Sequence, residues 1–180
     1  GAELIEKNEW KSLLQLTELA AQEFDKATLN REMKKVGVVG EIYLKFNPFA
    51  HKHVLDWLME RGVEVVPPML TDFFTQFFVN RKTKKNYMTD NDFIPNWIFD
   101  KIYFYLKKIV HLFDIAGSKF RYYIPFNDIF EEAKEGEKII NMNAQFGEGW
   151  LLPAEIATYY KQSVHNVISL QPFGCIANHI

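Results

Sequence analysis

The residues able to do chemistry fall in three places along the chain. The last ten, Gln171 to Ile180, hold Cys175, the only cysteine in 180 residues, with His179 four positions further on. On a helix that spacing puts a thiolate and an imidazole on one face, as metal sites use. Two ligands do not close a site, and no CxxC or HExxH accompanies them. The plainer reading makes Cys175 a small buried residue and His179 a surface histidine. The second place, Gly40-Glu41-Ile42-Tyr43 and on to Asn47, offers a carboxylate and a phenol. The third is Gly147-Glu148-Gly149-Trp150, where Glu148 reads as a catalytic carboxylate or as a turn residue; its flanking glycines favour the turn. His165 and Ser169 do not make a hydrolase, because no G-x-S-x-G elbow surrounds a serine. Gly37 and Gly40 do not complete G-x-G-x-x-G, and there is no Walker A motif.

The elements around these residues decide whether they meet. Lys35 to Gly40 reads as a short strand, with β-branched Val36, Val38 and Val39 suited to a buried parallel sheet. Asn47-Pro48 opens a helix, as N-cap and first helical residue, and Gly62 closes it. Val63 to Val66 is a second strand, ended by Pro67-Pro68, so strand, helix and strand form a βαβ unit. The third strand, Val164 to Leu170, follows a helix over 154–162. If all three strands are parallel, their carboxyl ends share one edge. That edge gathers Glu41, Tyr43 and Asn47 from the first loop, Pro67-Pro68 from the second, and Gln171 to His179 from the third. Elsewhere, helical spacing predicts helices over about 8–26, 69–79, 97–116 and 127–141. Arg81 to Asn86 is expected to be a basic loop, either a phosphate contact (to a CoA 3′-phosphate, for instance) or, more simply, a solvated charge run. The expected fold class is α/β, three-layered, with a short parallel sheet in order 2-1-3. A mostly helical insertion occupies about 81–127, and residues 1–34 form an N-terminal helix and connection ahead of a 35–180 domain.

Composition narrows the partners. A formal net charge of −2 argues against nucleic acid, whose phosphates call for a basic surface. One cysteine rules out an internal disulfide and fits a reducing, cytoplasmic setting. Glu3, Glu6, Lys7 and Glu9 interrupt any signal-peptide pattern. The most apolar stretch, Trp97 to Ala116, carries Asp100, Lys101, Lys107, Lys108, His111 and Asp114, so no membrane span is expected. Its apolar arc is wider than one core contact needs, and an exposed aromatic face through which chains self-associate is the expectation.

Three stretches carry a family resemblance: "VGVVGEIYLKFNPFAHKHVLDWLMERGVEVV" from Val36, "GEGWLLPAEI" from Gly147, and "QPFGCIANHI" at the end. Together they resemble the domain attached to activators of (R)-2-hydroxyglutaryl-CoA dehydratase, related to the dehydratase and benzoyl-CoA reductase subunits. The resemblance implies a part in ATP-driven, low-potential electron transfer for 2-hydroxyacyl-CoA dehydration. It implies as partners the other domains of a longer parent chain and the acyl-CoA dehydratase system. In relatives a matching Gly-Cys supplies one thiolate of a [4Fe–4S] cluster, which places Cys175 as a metal ligand. Gly174, Asn178 and His179 would then line the cofactor, and Glu41 and Tyr43 would be the catalytic candidates. The remaining thiolates would lie elsewhere in the parent, so this piece by itself is expected to be inactive and free of cluster. The alternative is a non-catalytic module whose strand-end edge binds a small ligand or docks onto neighbouring domains.

Overall fold

The computed structural model describes residues 1–66, 69–86 and 95–178. Contacts within the chain divide it into two compact units, one of residues 1–31 and 93–126, the other of residues 32–92 and 127–180.

The second unit holds the sheet. Strand β1 (Lys34–Gly40) lies between β2 (Val63–Val66) and β3 (Asn166–Leu170), both parallel to it, giving the order 2-1-3. This is the predicted α/β architecture, with helices packed around the sheet. Val38 and Val39 are wholly buried at its centre. The glycines of β1 are set by close neighbours. A Cβ on Gly37 would come within 2.6 Å of the Tyr159 ring, and one on Gly40, at φ +133°, within 2.0 Å of the Leu170 carbonyl oxygen. The space left at Gly40 lets the Glu41 amide donate to Leu170 O at 3.0 Å, tying the first loop to the end of β3.

Between β1 and β2 the structure departs from the expected loop and long helix. Ile42–Phe46 forms a short helix, α3, and the regular helix α4 spans only Val54–Glu60. Asn47 does cap: its Oδ1 accepts from the amides of Phe49 and Ala50 at 3.0 and 3.2 Å. What it caps is a run of turns, because Lys52 and His53 take left-handed backbone angles that interrupt a helix.

Helix α5 runs Leu70–Asn86, so the expected basic loop is instead helical. Straight-chain Arg81, Lys82 and Lys84 are good helix formers, and cations at a helix carboxyl end are favoured by its dipole. Helix α7 is Ile129–Gly136, shorter than the expected 127–141, and α8 is Leu151–Lys161, with Pro153 tolerated inside its first turn. Tyr159 of α8 crosses under β1 at Gly37, its hydroxyl donating to Val66 O at 3.0 Å.

The first unit consists of α1 (Ala2–Glu6), α2 (Trp10–Ala27), α6 (Asn96–Gly117) and the segment that follows it. Asp114 of α6 folds that segment back: its Oδ1 accepts from the Tyr123 hydroxyl at 2.8 Å and from the Phe126 amide at 3.0 Å. Arg121 forks onto the two carboxylate oxygens of Asp25, each at 2.9 Å, and holds that carboxyl down at about 2. No helix among the described residues is long and apolar enough to cross a membrane.

Candidate functional site

The carboxyl ends of the strands bring together the Glu41–Tyr43 segment and the Cys175 turn. Glu41 follows β1 as the N-cap of α3, its Oε2 accepting from the Leu44 amide at 2.9 Å. Its carboxylate therefore already serves the helix. Tyr43 is exposed. After β3, the Cys175 amide donates to Pro172 O at 3.2 Å, closing a turn that holds Gly174 at φ +80° with open space around it. Cys175 is a half-buried free thiol, and Ile176–Asn178 is one 3₁₀ turn. A Cβ on Gly147 would lie 3.9 Å from that of Ala177, so the Gly147–Trp150 loop borders the same edge. The side chain of Asn178, with His179 and Pro67-Pro68, lies outside the described residues.

Behind this edge sits a group of side chains that the sequence reading did not assemble. Lys45, on α3, is buried and lies 3.2 Å from Glu148 Oε1 and 3.3 Å from Glu155 Oε1, donating a hydrogen bond to the latter. The other oxygen of Glu148 accepts from the Ile42 amide at 3.2 Å. Glu148 is thus no exposed turn residue. The glycines do make the turn, Gly147 at φ +60°, but they point its carboxylate inward. Trp150, fully buried, fixes the far end of the loop by donating from Nε1 to Asn80 Oδ1 at 2.6 Å.

Two further acids are buried, Asp72 on α5 and Glu132 on α7. Burial pushes Glu132 up to about 9, the charges of Asp72 and Glu155 adding to it. Burial likewise raises Glu155 to about 8, against the pull of Lys45, and Asp72 to about 6. Glu148 is also raised by burial, with Lys45 opposing. Part of the signal was present in the sequence: Leu152, Glu155 and Tyr159 are spaced by three and four, one stripe of α8, and an acid on a core-facing stripe needs a partner. Glu148 precedes that helix, in the Gly147–Trp150 loop.

A four-iron cluster does not fit this chain's residues alone. Such clusters take several cysteine thiolates, and the chain has one. Among the described residues no three His, Cys, Asp or Glu side chains are placed to hold a metal ion. No protein-family model, curated protein or solved structure was found to match the chain.

Proposed function

We propose that this chain is a domain of the kind attached to activators of (R)-2-hydroxyglutaryl-CoA dehydratase, or of a dehydratase-like relative. It works within the system that delivers low-potential electrons to 2-hydroxyacyl-CoA dehydration. One observation supports this most: the stretches that carry the resemblance fold onto one another. Lys45, from the first, meets Glu148 and Glu155, both from "GEGWLLPAEI", and the Cys175 turn closes the same sheet edge. In this reading Cys175 contributes a single thiolate ligand position at the rim, and the other thiolates come from outside the chain. A thiol on a half-buried turn has the access that role needs.

The test is anaerobic incubation of the chain with ferrous iron and sulfide, with glutathione supplying the missing thiolates. Iron and sulfide retained by the wild type and lost in Cys175→Ser, with unfolding unchanged, is the expected result. Equal retention by the two proteins, or none by either, would reject the ligand role.

A second reading, a docking module, has its own support. Tyr43, Phe46, Phe49, Phe146, Phe173 and Ile176 are all exposed on segments that leave or border this edge. An apolar rim of that kind suits contact with another protein surface.

A further inference from the structure

The buried acids behind the sheet edge outnumber their cation. Facing Glu155 of α8 are Lys45 from α3, Glu148 from the Gly147–Trp150 loop, and Asp72 from α5; Asp72 and Glu155 in turn face Glu132 of α7. Glu41 bears on Glu148 from the loop after β1, and the Tyr159 phenol stands one turn further along α8. Arg81, buried on α5, is nine residues from Asp72, about half a turn out of phase with it. Glu155 Oε2 and Glu132 Oε2 are buried oxygens with no hydrogen-bond donor. A bare carboxylate oxygen in that position is costly, whereas a protonated carboxyl is tolerable and can itself donate. The ligand these orphaned oxygens call for is a proton.

We propose that this cluster is a proton-operated latch. Four carboxyl groups sharing Lys45 hold α3 and the Gly147–Trp150 loop against α5, α7 and α8 while Glu132 and Glu155 carry protons. Loss of those protons slackens the two attachments at the carboxyl edge. The latch does not depend on the dehydratase reading, since it requires only the groups just named.

The direction follows from linkage. An acid whose folded value lies above its unfolded one binds protons more tightly in the fold. Its burial penalty is absent below about 4.5 and complete above about 9 for Glu132, or about 8 for Glu155. The edge is therefore tightest on the acid side of neutrality and loosens as pH rises through that window.

Amide exchange on the whole chain reads this directly, because the Ile42 amide donates to Glu148. Between pH about 6 and about 9, protection at Ile42, corrected for the intrinsic pH dependence of exchange, should fall by about tenfold or more. In Glu132→Gln and Glu155→Gln the fall should be reduced. A wild-type profile independent of pH, or variants that keep the full wild-type fall, would overturn the latch. If neither variant folds, infrared spectroscopy of the wild type at neutral pH decides. A protonated-carboxyl band present in the fold and gone at pH above about 9 supports the latch, and its absence at neutral pH overturns it.

Discussion

Lys45 is the residue on which the sheet-edge unit turns. It is nearly fully buried, and it is the cation found beside Glu148 and Glu155. Removing Lys45 leaves the Glu148 carboxylate buried without its cation, which costs about 3–5 kcal/mol. Lys45→Met keeps the length and apolar stem, so the packing loss is small and the electrostatic loss is isolated. Urea unfolding at neutral pH should show a loss of that order. At pH about 5 the loss should be smaller, because the abandoned Glu148, raised by burial, takes up a proton instead. Equal losses at both pH values would mean that the lysine acts by packing alone. Cys175 is a contrasting case, a half-buried free thiol on a turn that its own amide closes.

Among the elements, β1 is the least replaceable. It pairs on both sides, and its two glycines make room for different things. Gly37 lets the Tyr159 ring pass, while Gly40 lets the Leu170 carbonyl approach and takes a φ that other residues avoid. Gly40→Ala should cost more than about 2 kcal/mol and unpair the end of β3, since the obstacle is backbone rather than a side chain that can swing away. Gly62→Ala is the control: its φ is +74°, but the nearest atom to an added Cβ is Met33 Cε at 3.5 Å. That change should cost only about 1 kcal/mol. Chemical denaturation of the two variants side by side separates steric exclusion from backbone strain. Comparable losses would show that the approach of Leu170 does not matter. Helix α8 combines both kinds of constraint, with Leu152, Glu155 and Tyr159 on one stripe serving the core, the latch and the sheet.

At the scale of the whole molecule, the helices of the first unit expose many large apolar side chains. Trp97, Ile102, Phe104, Tyr105, Ile109, Leu112 and Ile115 of α6 are all exposed, as are Leu16, Leu19 and Phe24 of α2. Exposed apolar side chains in this number favour association in water. Sedimentation of the wild type should show a concentration-dependent shift above the monomer. Phe104→Glu with Leu112→Glu, eight residues apart on one helical face, should restore the monomer. A wild type that stays monomeric throughout would mean that this face is tolerated in water as it stands.

Much of the framework was legible in local pattern. Valine runs at strand length, a βαβ spacing of about thirty residues and the glycines that end elements led to a parallel 2-1-3 sheet, because period and chirality constrain neighbours strongly. The convergence of Glu41 and the Cys175 loop on one edge followed from that topology. Helix limits were harder. The extent of α5 into the basic run, and the turns that replace the first part of the expected helix after Asn47, depend on contacts and backbone angles that periodicity does not carry. The buried charge cluster was least legible of all. Glu148 between two glycines and Lys45 between Leu44 and Phe46 both look like surface residues in isolation, since charge in a sequence defaults to solvent. Only the meeting of α3, α5, α7 and the Gly147 loop with the α8 that follows it encloses Lys45, Asp72, Glu132, Glu148 and Glu155 together. Burial is a property of that enclosure, and burial is what raises the acids and gives the edge its dependence on protons.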